Sequence, residues 1–247
     1  KIDRIRYYWL KHSPEEKIDF SEIKYLVYDG TYFRKTGCFI SIMDAIDQKI
    51  ISHIYAKKEG YTNIYPLFSR LRDEGLNPLY ITMDGEKSVI RSINEVWPQA
   101  SIQRCLYHIQ REGMRWLRTY PKTQAGKDLR RLLKTLCTIN SCKERDEFIL
   151  NYAKWLDQYR DFVLSLPRKE VAFKDLRKTM VLIYNALPDM FHYLSDKNIH
   201  KTTNTLESFY SRLKADYRKH RGLTEKHKIS YLSWYCFFYN KQKTNIL

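Results

Sequence analysis

Residues 25–30 have the sequence YLVYDG, and residues 80–85 have the sequence YITMDG. Each is a short apolar run that ends in Asp-Gly, a pattern typical of a buried strand followed by a tight turn. Residues 203–207, TNTLE, begin a stretch in which apolar side chains recur at helical spacing. These segments place an acid at the end of each of two strands and a third acid on a later helix.

The residues around the two apolar runs predict the element order β-β-β-α-β-α-β. Strands are expected at 23–33, 37–46, 49–57, 79–83 and 101–107, and helices at 61–74 and 87–96. This order predicts an α/β protein with a ribonuclease-H-like, mixed five-stranded sheet and flanking helices. In that arrangement the first and fourth strands are neighbours. Asp29 and Asp84, each expected at the carboxyl end of its strand, would therefore lie side by side.

The whole chain is expected to contain four segments. Residues 1–20 predict a linker or leading helix, and residues 21–108 the first part of the sheet domain. Residues 109–200 have apolar side chains at helical spacing throughout, which predicts an all-helical insertion. Residues 201–247 return to the sheet domain, with the helix of Glu207 and a basic, aromatic C-terminal helix.

Charge indicates the class of partner. The 247 residues include 44 Lys and Arg against 28 Asp and Glu, for a net charge of +16. Residues 201–247 alone hold ten Lys and Arg against three Asp and Glu. Such an excess favours nucleic acid as the partner, with an anionic membrane surface as the alternative.

Composition also bears on location. No apolar run is long enough to span a bilayer, and no signal peptide is recognised at the N-terminus. The five Cys are odd in number and scattered, which favours a reducing compartment. We therefore expect a cytoplasmic protein with no membrane partner.

Asp29, Asp84 and Glu207 are the candidate metal ligands. Taken singly each has an ordinary interpretation, because Asp-Gly is a common turn and Glu is common on exposed helix faces. On paired strands, however, the two aspartates can share one cation whose charge offsets their repulsion. Asn204 and Lys214 lie one turn before and two turns after Glu207, on the same helix face.

Other acids and cysteines are weaker candidates. Asp44 is the fallback third ligand, and Asp47 is expected in a hairpin turn. Glu86 and Glu112 are weaker still as ligands. Cys137 and Cys142 have the spacing of half a zinc site, but no second pair is near in the sequence, so helix packing is the better interpretation.

Cys105 and His108 follow the fifth predicted strand. Buried packing of Cys105 and a hydrogen-bonded role for His108 are the ordinary interpretations. A zinc site of their own is not expected, because no partner pair stands at a usual spacing. If His108 lies near the carboxylates, it can contact a phosphate or an extruded base.

The helix of Glu207 continues into a basic stretch with Tyr210 and Tyr217 interleaved. We expect this stretch to contact the DNA backbone, with a solvated helix face as the alternative. Its predicted DNA-binding residues are Arg212, Lys214, Arg218, Lys219 and Arg221.

Together these motifs resemble the Mutator-like DDE transposases of bacterial insertion sequences. The matching motifs are YDGTY at 28–32, MDG at 83–85, Cys105-x-x-His108, and TNxxE at 203–207 followed by Lys214. The spacing of 123 positions from Asp84 to Glu207 leaves room for the helical insertion that this family carries before its catalytic Glu. The resemblance extends over residues 23–221, and the ordered set of motifs is more specific than any one of them.

The resemblance implies a bacterial, nucleoid-associated enzyme of DNA recombination. Its catalytic triad would be Asp29, Asp84 and Glu207, holding two Mg²⁺ ions for which Mn²⁺ can substitute. Cys105, His108 and Asn204 would lie in the active-site neighbourhood. The expected reaction is cleavage of double-stranded DNA at transposon ends and strand transfer into target DNA, by a homodimer that joins two ends.

Two alternatives remain at this stage. A ribonuclease-H-like nuclease or resolvase would use the same acids without strand transfer. A DNA-binding protein descended from a transposase would no longer cut. Such transposases also have an N-terminal region that binds the terminal repeats, and no convincing one is recognised in this chain.

Overall fold

The computed structural model describes residues 2–14, 17–33, 36–167, 169–220 and 222–244, and only the backbone of residues 2, 3, 5 and 6. The strands are β1 (Tyr25–Phe33), β2 (Gly37–Asp44), β3 (Ile50–Ala56), β4 (Tyr80–Met83) and β5 (Ser101–Arg104). The helices are α1 (Ile2–Lys11), α2 (Tyr61–Asp73), α3 (Lys87–Val96), α4 (Leu106–Leu117), α5 (Gln124–Thr135), α6 (Cys142–Ser165), α7 (Val171–Ala186), α8 (Asn204–Tyr217) and α9 (Glu225–Thr244).

The chain divides into two compact units. The first, here called the sheet unit, consists of Lys1–Ile102 and Thr203–Leu247, and the second, the helical unit, is Gln103–Thr202. The insertion predicted at 109–200 therefore differs from the helical unit by a few residues at each end. Among the described residues, no helix combines the length and the apolar character needed to cross a membrane.

The sheet is mixed, with the strand order β3-β2-β1-β4-β5. β1 pairs antiparallel with β2, and β2 pairs antiparallel with β3. On its other side β1 pairs in parallel with β4, with Tyr25 opposite Tyr80 and Val27 opposite Thr82. The predicted α/β class, the mixed five-stranded sheet and the adjacency of the first and fourth strands are therefore confirmed.

Side chains alternate between the two faces of the sheet, because successive residues of a strand point in opposite directions. On one face Tyr28, Ile40 and Ile42 join a core with the buried side chains of α2 and α3. On the other face Val27 and Phe39 join a second core with α8 and α9. The sheet of this unit is therefore covered by helices on both faces.

The fifth strand is shorter than predicted. It was expected over 101–107, but it ends at Arg104, and α4 begins at Leu106. Leu106, Ile109 and Gly113 are buried on one side of this helix. Buried residues at helical spacing therefore begin at Leu106, inside the range 101–107 that is predicted to be a strand. The strand ends just before that residue, at Arg104.

The helical unit has its own core, formed by α4 to α7 and the short helical turns that follow α5 and α7. Leu129, Leu133, Phe148 and Ile183 are buried in it. The buried hydroxyl of Tyr152 donates to the carbonyl oxygen of Met180 at 2.7 Å. Apolar packing and satisfied polar groups thus stabilise this unit.

Candidate active site

Asp29 and Asp84 lie at matching positions on neighbouring strands. The parallel pairing of β1 and β4 ends with Val27 opposite Thr82. Continuing that register by two residues puts Asp29 level with Asp84. The prediction that Asp29 lies at the end of its strand is wrong. Asp29 lies inside β1, because the pairing with β2 extends β1 as far as Phe33.

Asp29 is a buried carboxylate, with 7% of its surface exposed. Its Oδ1 accepts a hydrogen bond from the backbone N–H of Gly30 at 2.9 Å. Burial raises the pKa of Asp29 well above its usual value, and the charge of Asp84 raises it further. Glu207 and Glu59 add smaller effects in the same direction, so negative charge from several segments acts on one buried carboxylate.

Asp84 is half-buried directly after β4. Its Oδ1 accepts a hydrogen bond from the backbone N–H of Glu86 at 3.0 Å, across a turn in which Gly85 has a φ of 100°. The side chain of Glu86 in turn accepts from the backbone N–H of Ser88 and caps α3. Glu86, a weak candidate ligand in the sequence, therefore has a structural role here.

Glu207 lies in the first turn of α8 and is half-buried, whereas Asn204, the first residue of the helix, is exposed. Leu206, Phe209 and Leu213 bury the adjacent side of the helix against the sheet. Glu207 therefore borders the buried stripe of α8, and its charge influences the pKa of Asp29.

A hydrogen bond connects α8 to the backbone of β1. The hydroxyl of Tyr210, one turn after Glu207, donates to the carbonyl oxygen of Asp29 at 2.6 Å. Tyr210 is 4% exposed, and its ring lies edge-on to Phe39 at a centroid distance of 6.3 Å. The helix that carries one candidate acid is thus bonded to the peptide group of another.

Lys214, one turn further along α8, is half-buried, with its Nζ 5.9 Å from the centroid of the Phe33 ring. Burial lowers the pKa of Lys214, while the nearby Cys38 and Asp29 side chains act in the opposite direction. The ammonium group is therefore within electrostatic range of Asp29.

The other predicted DNA-binding residues follow on the same helix and just after it. Arg212 and Arg218 are exposed, and the Arg212 guanidinium lies 5.6 Å from the centroid of the Tyr239 ring. Lys219 is exposed and pairs with Asp216 at 2.8 Å. Arg221 lies outside the described residues.

Cys105 and His108 belong to the helical unit. Cys105 is the buried residue that precedes α4, and its Sγ lies 3.2 Å from Nδ1 of His108. The two side chains contact each other, as a Cys-x-x-His pair at the start of a helix allows. Their expected place in the active-site neighbourhood stays a prediction.

The fallback acids have local partners. The carboxylate of Asp44 accepts hydrogen bonds from the N–H groups of Ile46 and Asp47, so it closes the β2–β3 turn. Glu112 forms an ion pair with Arg115 on α4. Cys137 is half-buried and Cys142 begins α6. Within the part of the chain that the structure describes, no three His, Cys, Asp or Glu side chains are close enough to hold a metal ion.

Glu59 is a neighbour of the aspartates that the sequence interpretation missed. Its Oε1 accepts a hydrogen bond from the Tyr28 hydroxyl at 2.6 Å, and its backbone N–H donates to the Tyr32 hydroxyl at 3.3 Å. A Cβ atom added to Gly30 would lie 3.0 Å from Glu59 Oε2, so glycine leaves room for this carboxylate.

Burial raises the pKa of Glu59 to about 7, and the charges of Asp84 and Glu86 contribute to the increase. A sequence signal for Glu59 existed, because Glu59-Gly60 follows β3 as Asp84-Gly85 follows β4. An acid followed by glycine at a strand end was considered for aspartate alone, and this third example was therefore overlooked.

Comparison with known proteins supplies independent information. A family model described as Transposase, Mutator family, matches residues 29–232. The matched range begins at Asp29 and contains Asp84, the whole helical unit and Glu207. No curated protein matches the chain.

Proposed function

This chain belongs to the Mutator family of transposases, and we propose that it cuts DNA at the ends of a mobile element and joins them to target DNA. Membership of the family supports an enzyme that acts on DNA. The proposal adds a ribonuclease-H-like sheet, a DDE triad of Asp29, Asp84 and Glu207, two divalent metal ions, and an insertion sequence as the element.

One observation supports this chemistry above the others. The charges of Asp84 and Glu207 both raise the pKa of the buried Asp29. The three acids come from β1, from the turn after β4 and from α8, so they are far apart in the sequence. Repulsion between a buried carboxylate and its half-buried acidic neighbours is typical of functional sites, because it lowers stability unless a ligand offsets it.

The three acids fit a divalent cation in ligand type and in charge. Mg²⁺ and Mn²⁺ prefer oxygen ligands, and a cation would offset the repulsion that raises the pKa of Asp29. Asp29, Asp84 and Glu207 would hold the ions, and binding would have to draw the three acids closer together, because they do not form a three-ligand group among the described residues. When bound, such ions favour ionisation of the attacking hydroxyl group and stabilise charge on the departing oxygen.

The side chains of the protein itself would bind and orient the DNA strand. The Lys214 ammonium, within electrostatic range of Asp29, would contact a phosphate oxygen beside the bond that is cut. Arg212, Arg218 and Lys219 would contact phosphates further along the strand, and Arg221 is proposed for the same role. A homodimer would bring two transposon ends together.

The proposal is tested with purified protein, Mn²⁺ and two DNA substrates. Nicking of supercoiled plasmid reports cleavage, and joining of a pre-cut duplex with a free 3′-hydroxyl to plasmid reports strand transfer. Each of Asp29→Asn, Asp84→Asn and Glu207→Gln should reduce both rates by about 10³-fold or more. Binding of a labelled duplex should remain, and Glu112→Gln in the helical unit is the matched control.

The outcomes distinguish the alternatives. Nicking without joining would indicate a nuclease or resolvase, and binding without nicking a DNA-binding descendant of a transposase. If one of the three variants nicks at the parental rate, that residue does not belong to the catalytic set.

A further inference from the structure

We infer that Tyr210 is a positioning residue for the proposed reaction, because its hydroxyl joins the helix of Glu207 to the backbone of Asp29. The inference rests on the proposed function of these two acids. Tyr210 itself would contact neither DNA nor a metal ion. Its effect would be to hold Glu207 at a defined place relative to Asp29.

The two ends of the connection lie very close to the two acids. The accepting carbonyl oxygen belongs to Asp29 itself, and the donor lies one turn from Glu207 on α8. The distance from the Tyr210 hydroxyl to that oxygen is 2.6 Å, and the bond is buried. A shift of α8 along the sheet would therefore have two effects at once: it would lengthen this hydrogen bond and it would move Glu207.

The apolar contacts of α8 do not specify its position as closely. Leu206, Phe209 and Leu213 pack on the sheet and on α9 through apolar contacts. Apolar contacts are not directional, whereas a hydrogen bond depends steeply on distance and angle. Packing thus holds α8 on the sheet, and the Tyr210 bond helps to define where on the sheet it lies.

Accuracy of this kind affects rate more than binding. A misplacement of about 1 Å in a reacting geometry can reduce a rate by about 100-fold. Catalytic groups need support from residues that do not themselves react. Loss of the Tyr210 hydroxyl should therefore slow cleavage while the exposed basic residues still bind DNA.

The test compares Tyr210→Phe with Tyr152→Phe. Both replacements keep a buried ring and remove a hydroxyl that donates to a backbone carbonyl, at Asp29 and at Met180 respectively. We expect Tyr210→Phe to nick supercoiled plasmid in Mn²⁺ at least about tenfold more slowly than the parent, with duplex affinity unchanged within about twofold. Tyr152→Phe should nick at the parental rate, although its melting temperature falls by a similar amount.

The inference would be overturned if both variants nicked plasmid at the parental rate. It would also be overturned if both variants were slowed by the same factor. Failure of the proposed function is recognised separately. It is shown if the parent does not nick plasmid, or if Asp29→Asn nicks at the parental rate. If the parent does not nick plasmid, amide hydrogen exchange tests whether Tyr210 connects α8 to β1. Faster exchange in β1 and α8 of Tyr210→Phe, relative to the parent and Tyr152→Phe, supports the connection, and unchanged exchange there overturns it.

Discussion

The sheet unit and the helical unit bury polar groups in different ways. In the sheet unit Asp29 and Asp44 are buried, and burial raises the pKa of each. Among the described residues of the helical unit, the buried polar side chains are Gln103, Arg104 and Thr179, and none is a carboxylate. Both units therefore have apolar cores, but within the described part of the chain only the sheet unit buries acids.

This difference shows which part of the chain is destabilised by its buried polar groups. A buried carboxylate with a raised pKa destabilises the folded state at neutral pH, whereas a buried amide or hydroxyl with a hydrogen-bond partner does not. The amide of Gln103 donates to the carbonyl oxygens of Arg104 and Met190. The helical unit thus follows the usual rules of packing, and the sheet unit departs from them at Asp29.

The largest effect should come from the core of the helical unit. Leu129 is fully buried there, and Leu129→Ala should lower the free energy of unfolding by about 2–5 kcal/mol, because it removes packing and leaves a cavity. Chemical denaturation measures the loss. The control is Leu150→Ala, since Leu150 is 53% exposed, with an expected change within about 0.5 kcal/mol. Equal losses at both positions would contradict the packing assigned to this unit.

Neutralising one acid in each unit should have opposite effects. Asp29→Asn should raise the free energy of unfolding by about 1 kcal/mol at pH 7 without divalent metal, because it removes a buried charge. Asp128→Asn should lower it by up to about 1 kcal/mol, because Asp128 accepts from Tyr159 and pairs with Arg131. A loss of stability in Asp29→Asn would show that the buried acid is better compensated than its pKa indicates.

The pH dependence of stability should reveal Glu59. Its pKa is raised from 4.5 to about 7, so the folded state binds more protons than the unfolded state between these values. Stability contributed by this group is therefore lost as pH rises from about 4.5 to 7. Glu59→Gln, which can still accept from Tyr28, should reduce that loss when melting is followed across this window. If the melting temperatures of the parent and Glu59→Gln changed in parallel with pH, Glu59 would not be the source of this pH dependence.

The smallest effect concerns the salt dependence of DNA binding. If Lys214 contacts one phosphate, Lys214→Gln should reduce the slope of log affinity against log salt by about 0.9. Lys122→Gln is the control, because Lys122 is paired with Glu170 in the helical unit. Fluorescence anisotropy with a labelled duplex measures both slopes. An unchanged slope for Lys214→Gln would remove this lysine from the DNA interface.

Much of the sheet unit could be predicted from local patterns. The helix expected over 87–96 agrees with α3, and the adjacency of β1 and β4 follows from the element order. The boundary of β5 was wrong, because residues 105–107 are apolar in a way that suits a strand or a helix. The Glu59-Gly60 pair could be recognised in the sequence, but the hydrogen bond of Glu59 to Tyr28 could not, because it joins residues that are 31 positions apart.

The sequence by itself determined the α/β class, the order of the strands, the basic charge, and Asp29, Asp84 and Glu207 as candidates, since these depend on residue types and local spacing. Only the tertiary structure decided that Asp29 is buried inside a strand, that Glu59 lies against Gly30, and that Tyr210 bonds to the Asp29 carbonyl. The physical reason is that burial and long-range hydrogen bonds depend on how distant segments pack, which no local pattern specifies.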